Sequence, residues 1–431
     1  MKAVVALAWA LSAYAAVDDD PVAVLMRVRD RVMAHAERIP NHTCVETIAR
    51  DVYKQVATTP PRSCDDLLAR RKRAGAGTLV KLDTTDRLRL DVAVADGREI
   101  YSWAGAGKFE EKELDELVPP GAVGTGPFAA TLLGIFETRD PNFAFNGETT
   151  LDGRRLMEYS FAVSQEESHS RVKAGTVWLI AGYTGTLLVD PGTAELVQLT
   201  VRTEELPRAT NLCEVDSTME YGMVQLGGEE YLLPKLTRER FIEQNASEAE
   251  NTVTFASCRE FRGESTVHFG EHPAGPEGTR DAVAPTPFVA GLPVTIEMTS
   301  TLADGAAAGD RIEGKLAEPI VDAQKKILAP AGAAVLGRLM RVETLHGKPG
   351  ETTIVLRWET LEVNGVKTPF SLTPNRRIGN QAIPVTGELQ RRATQFVLPR
   401  PGEEGYAAFK FSGEHLVVQS PLRTQWITML Q

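Results

Sequence analysis

The run Leu88-Arg89-Leu90-Asp91-Val92-Ala93-Val94-Ala95-Asp96-Gly97-Arg98-Glu99-Ile100-Tyr101-Ser102-Trp103 decides the fold class. Leu88, Leu90, Val92 and Val94 alternate with polar or small residues, the period of a strand with one buried face. Asp96-Gly97 supplies a two-residue hairpin turn, and Ile100 and Trp103 carry the returning strand. The same punctuation recurs on either side. Asp152-Gly153 joins a second hairpin, Pro191-Gly192 marks another turn, and Gly227-Gly228 separates Met219–Gln225 from Tyr231–Leu236. One stretch breaks the pattern. Phe128 to Phe136, with Leu132, Leu133 and Ile135, follows the glycine-rich Gly121–Gly126 and predicts a short helix packed on the sheet.

Upstream, Asp20 is placed to cap a helix, Pro21 suits its first position, and Val22, Leu25, Val28, Val32 and Ala36 keep a helical stripe until Pro40. Downstream, residues 270–287 are rich in Gly, Pro and Ala and read as a linker. A second β unit follows it. Val294, Ile296 and Met298 alternate, as do Ile354, Leu356 and Trp358, and Asn364-Gly365 is a strong hairpin signal. The chain of 431 residues is thus expected to divide into 1–16, an export signal; 17–268, a curved sheet; 269–287, the linker; and 288–431, a smaller β unit. The fold class is mainly β (α+β).

Hydrophobic residues make up 42% and charged residues 24%, a balance that excludes a disordered chain. A formal charge of −11 repels phosphate backbones, so nucleic acid is not an expected partner. Lys2, the apolar Ala3 to Leu11 and Ala13-Tyr14-Ala15 read as a cleavable signal peptide. That run is too short to span a membrane, and no transmembrane anchor is expected in the mature chain. Export favours disulfides among Cys44, Cys64, Cys213 and Cys258, which allow three pairings. Cys44 with Cys64 closes a compact loop containing Pro60 and Pro61 and leaves Cys213 with Cys258. Against the second pair, segments 213–225, 229–242 and 250–262 form a meander whose first and third strands are not neighbours. Two free buried thiols remain the alternative.

The chemical motifs fail on inspection. His268-Phe269-Gly270-Glu271-His272 matches the inverted zinc-protease pattern, which needs both histidines on one helix face. Gly270, Pro273, Gly275 and Pro276 oppose that helix, so no metal or other cofactor is expected. Ala104-Gly105-Ala106-Gly107-Lys108 lacks the first glycine and the Ser or Thr of a phosphate loop. Glu110-Glu111 and Asp115-Glu116 are candidate paired carboxylates for a secreted hydrolase, though such runs usually form a solvated face. Arg70-Arg71-Lys72-Arg73 also reads as a solvated helix face.

A curved antiparallel sheet must bury its apolar face, and helices are the usual cover. Where the cover is incomplete, a cavity accepts an acyl chain at about 0.8 kcal/mol per methylene. Trp103, Phe128, Leu132, Ile135 and Phe136 are the residues expected to line such a cavity, an ordinary closed core being the competing reading.

Two resemblances sharpen this picture. Asn41-His42-Thr43-Cys44, Tyr101-Ser102-Trp103 with Gly105 to Phe109, Tyr231-Leu232-Leu233-Pro234 and Ser257-Cys258-Arg259-Glu260-Phe261 resemble a family of uncharacterised exported bacterial proteins. Its strands and helical lid are similar to the half-barrel of LolA-type lipoprotein carriers and sorting proteins. Ala308-Gly309-Asp310, Pro319-Ile320-Val321, Ile327 to Gly332 and Leu336-Gly337-Arg338 resemble the β-barrel domain of TrbI-type conjugal transfer proteins. The resemblances imply a non-catalytic protein, periplasmic or outer-envelope associated. Its half-barrel would bind a lipid, a lipoprotein or an envelope protein, and its β-barrel would act as an interaction domain.

Overall fold

A computed structural model describes residues 20–261 and 288–430, except for 57–58, 76–78, 96–97, 107–108, 110–112, 129, 139–141, 175–176, 204–205, 376–394, 398–399, 401–402, 404 and 419–421. The expected signal peptide, the Asp96-Gly97 turn, Glu110-Glu111, the His268–His272 motif and the 270–287 linker lie outside the described residues.

Helix α1 (Pro21–Arg38) begins as the sequence predicts, with the Asp20 carboxylate accepting from the Ala23 N–H at 3.1 Å. Its buried face is Val24, Val28 and Val32, whereas Val22 is 68% exposed, so the stripe is rotated from the one expected. The Tyr159 hydroxyl donates to the Pro21 carbonyl at 2.8 Å and ties the start of the helix to the sheet.

The strands are β1 (His42–Gln55), β2 (Val80–Ala95), β3 (Arg98–Trp103), β4 (Ala144–Leu151), β5 (Arg154–Val163), β6 (Arg171–Ala174), β7 (Val177–Ile180), β8 (Tyr183–Asp190), β9 (Glu195–Thr203), β10 (Leu212–Leu226), β11 (Glu229–Glu243) and β12 (Glu248–Glu260). All but β6 and β7, which pair with each other, join one antiparallel ladder in the order β4-β5-β8-β9-β10-β11-β12-β1-β2-β3. The first strand is therefore internal, between β12 and β2. Asp152 (φ 51°) and Gly153 (φ 78°) make the β4–β5 turn with the positive φ angles that such a turn demands. Against the ladder lie α2 (Cys64–Ala74), α3 (Leu114–Leu117) and α4 (Ala130–Phe136), the last being the short helix expected within Phe128–Phe136.

The cysteine pairing differs from the expectation: Cys44 bonds Cys258, and Cys64 bonds Cys213. The reason is the ladder. Because β1 pairs directly with β12, Cys44 lies beside Cys258, with their Cα atoms 4.0 Å apart. Cys64 starts α2, which docks at the far end of β11 through Leu67, Ile242 and Ala246, so its partner is the nearby Cys213 of β10 rather than Cys44. The same docking corrects the reading of the basic run. Arg71 is buried and pairs with both carboxylate oxygens of Glu248 at 2.6 and 2.8 Å, while Arg70 pairs with Asp66 one turn back.

After residue 287, strands at Pro293–Met298, Arg311–Leu316, Ala334–Leu345, Glu351–Val363, Ala407–Ser412 and Leu422–Thr428 surround one core that includes Ile296, Ile312, Leu356, Trp358, Phe409 and Trp426. These strands join the first ladder where Glu343, Thr344 and Leu345 pair with Asp86, Thr85 and Thr84 of β2. The junction uses the motif residues noted in the sequence. The Ala308 N–H donates to the Arg87 carbonyl at 2.8 Å, and Arg89 forms an ion pair with Asp310. Arg338 donates to the carbonyls of Ala104 and Gly309 at 2.7 and 2.6 Å. Gly309 has to be glycine, since a Cβ there would sit 2.0 Å from the Arg89 carbonyl oxygen and against the Trp103 ring.

Candidate functional site

The inner face of β1 carries His42, Cys44, Glu46, Ile48 and Arg50, alternate residues that are all buried. Over this face runs a cap: an irregular segment, Pro119 to Phe128, leading into α4. Backbone groups hold it down. Gly126 and Phe128 donate their N–H groups to Glu99 of β3 at 2.8 and 3.3 Å, and Tyr101 adds its hydroxyl at 2.6 Å. Gly124 donates to Glu239 of β11 at 3.2 Å, and the Asn251 side-chain amide of β12 bridges Glu239 and the Ala122 carbonyl at 3.1 and 3.0 Å. Arg50, paired with Asp86, reaches the Pro119 carbonyl at 3.2 Å, and the Tyr221 hydroxyl donates to the Pro127 carbonyl at 2.9 Å. The approach is so close that a Cβ on Gly124 would lie 1.8 Å from a Glu239 oxygen.

Beneath the cap three buried carboxylates, Glu46, Glu99 and Glu239, converge. Burial, then the neighbouring charges of Glu99 and Glu239, pushes Glu46 well above the usual carboxylate range. Glu99 is raised by burial against the bonds from Tyr101, Gly126 and Phe128, and Glu239 by burial against those from Asn251 and Gly124. One Glu46 oxygen, Oε2, has no hydrogen-bond partner, and neither do Asn251 Oδ1 and Thr237 Oγ1. Among the described residues no group of His, Cys, Asp and Glu side chains is arranged to hold a metal ion.

Beside this carboxylate cluster an apolar crevice opens between α1 and the cap. Val32, His35, Ala36 and Ile39 form one wall, Phe128, Leu132 and Leu133 the other, and Leu232 the floor. His35 is neutral by position: burial, then Arg38 and Arg31, lowers its pKa, and its Nε2 accepts the Leu232 N–H. The crevice volume is about 30 Å3. A water needs roughly 10–15 Å3, so the closed crevice takes a water or two and no acyl chain.

The five expected cavity residues fall in two buried clusters, Trp103 and Phe128 in one and Leu132, Ile135 and Phe136 in the other. Phe128 and Leu132 line the crevice. Ile135 and Phe136 are buried in the core between α1, α4 and strands β5 and β8, Phe136 stacking on Phe143 at 5.8 Å. Trp103 lies at the junction, in a cluster with Ala308 and Met340. The carboxylates at the site are not those singled out in the sequence. Asp115 is tied to Lys173 at the surface, whereas Glu46, Glu99 and Glu239 converge under the cap. The signal for Glu46 was present: it stands in the inward register of β1, between Cys44 and Ile48.

No protein-family model and no curated protein matches the chain. Among solved structures, it is similar to a putative outer membrane lipoprotein-sorting protein domain from Vibrio parahaemolyticus, with 9% identity and a TM-score of 0.26 over 57% of this chain and 94% of that one. A DUF1329 family protein from Desulfovibrio piger gives 10% identity and a TM-score of 0.27 over 57% and 95%. A LolA superfamily protein from Nitrosomonas europaea gives 7% identity and a TM-score of 0.24 over 56% and 93%. Likenesses this loose assign no ligand or activity, and the functional reading rests on the chain's own geometry.

Proposed function

We propose that this chain is a non-catalytic envelope protein that receives an apolar chain between α1 and the cap. The observation that carries this is the crevice itself: seven of its eight lining residues are apolar, and the eighth, His35, is uncharged. One wall is the cap, whose loop is fastened through a few hydrogen bonds to carboxylates that are costly to keep ionised. Lifting α4 enlarges the crevice without breaking the ladder beneath it. Two disulfides suit an oxidising compartment, which supports an exported protein. In this reading the TrbI-like unit, joined edge-on to β2, serves as the interaction module for an envelope partner.

Titration with neutral N-phenylnaphthylamine tests the reading. The probe is expected to bind saturably, and Leu133→Asp to abolish binding while the protein still unfolds cooperatively. A wild type that takes up no probe refutes it. A hydrolase using paired carboxylates is favoured by one observation, the convergence of Glu46, Glu99 and Glu239. Turnover of glycosides by the wild type and its loss in Glu46→Gln would establish that activity instead.

A further inference from the structure

We propose that the ligand of this crevice is a long-chain amphiphile with a cationic amine head, its tail lying along α1 and its ammonium group received by Glu46, Glu99, Glu239 and Asn251. This rests on the apolar-chain reading above and adds the head-group chemistry.

Three observations meet here. First, the three buried carboxylates lack a basic partner. Of the two basic side chains on the same face of β1, Arg50 is taken by Asp86 and the Pro119 carbonyl and His42 has its pKa lowered by burial; among the described residues no basic group is a cause of the shifts at Glu46, Glu99 or Glu239. Second, two of the unsatisfied buried atoms at the site, Glu46 Oε2 and Asn251 Oδ1, are acceptors, while Thr237 Oγ1 is a hydroxyl that can also donate. Glu46, 3% exposed, leaves Oε2 unpartnered, and Asn251, 2% exposed, spends both donor bonds of its amide and leaves Oδ1 open beside Glu239. A buried acceptor without a donor costs free energy, and an ammonium group brings three donors together with the missing charge. An anionic head brings only further acceptors to atoms that already lack donors. Third, one residue joins the crevice to the carboxylate cluster. Phe128 lines the crevice with its side chain, while its backbone N–H holds Glu99. Displacing the cap therefore opens the tail site and frees acceptor capacity on Glu99 and Glu239 in one movement.

The test is displacement of N-phenylnaphthylamine from the full chain near neutral pH by dodecylammonium, dodecanol and dodecanoate, each below its aggregation concentration. Dodecylammonium is expected to displace the probe at a concentration about tenfold lower than dodecanol, the factor that one hydrogen bond to a charged group supplies. Dodecanoate is expected to be the weakest. Glu46→Gln removes the carboxylate that would pair with the ammonium without changing side-chain shape; it should narrow the amine's advantage and leave dodecanol unchanged. Dodecanol matching the amine on the wild type, or an advantage untouched in both Glu46→Gln and Glu239→Gln, overturns the head-group inference and leaves the apolar-chain reading standing. A wild type that binds neither the probe nor any of the three chains overturns both.

Discussion

Removing the Cys64–Cys213 bond by the double substitution Cys64→Ala and Cys213→Ala probes how α2 is held. The bond spans a sequence separation of 149 residues. A loop of that length corresponds to about 5 kcal/mol of denatured-state entropy at room temperature. The Cys44–Cys258 bond encloses this loop and already shortens the free chain, so the full value is an upper bound. In the double mutant α2 retains Leu67 against Ile242 and Ala246, and the buried pair of Arg71 with Glu248. The expected loss is therefore about 2–5 kcal/mol, with the folded structure kept. Urea unfolding of the oxidised proteins, followed by far-ultraviolet circular dichroism, measures it. Mass mapping of peptides cleaved without reduction should recover Cys44 joined to Cys258 and Cys64 joined to Cys213. A loss below about 1 kcal/mol, too small for a bond of this span, or peptides joining Cys44 to Cys64, would refute the reasoning.

Glu46→Gln should also change how stability depends on pH. The folded pKa of Glu46 lies above its ordinary value of 4.5, so its burial costs nothing below that value. The cost grows as pH rises toward the folded pKa and is complete above it. The mutant's stability relative to wild type should accordingly rise from acid toward neutral pH in urea titrations; a difference that shrinks over that range contradicts the assignment. For the domain arrangement, limited proteolysis is expected to cut first within the Gly- and Pro-rich residues 270–287 and to leave two fragments. The β2 pairing and the Arg89–Asp310 contact should keep the fragments together on gel filtration until denaturant is added; cutting elsewhere first would sink the two-unit proposal.

Period-two alternation was enough to read β2, β3 and the strands around Ile296 and Leu356, because local hydrophobicity and turn residues specify them. What alternation lacks is the identity of each strand's neighbours. The cysteines show this: pairing Cys44 with Cys64 follows from proximity in sequence, and only the ladder reveals that β1 meets β12. The site was half legible for the same reason. Phe128 and Leu132 stand out as apolar residues after a glycine-rich run, and both reach the crevice. Glu46, Glu99 and Glu239 lie on three strands far apart in sequence and converge only once the sheet curves. Arg71 was misread because a basic run looks solvated until its partner, Glu248, is known.

The internal position of β1 bears on how the chain is made. Both of its hydrogen-bonding edges are needed, and the β12 edge is supplied late: Cys258 follows Cys44 by 214 residues. At about 5–20 residues added per second, β1 waits roughly 10–40 s on the ribosome before that neighbour exists. During this interval it presents an unpaired edge together with the inward side chains that are later buried beneath the cap. Glu46 and Arg50 put charge in the inward register of that edge, a feature that discourages a strand partner from another molecule. The acid that is expensive to bury in the finished protein thus lies on an edge that stays unpaired while the chain is being made.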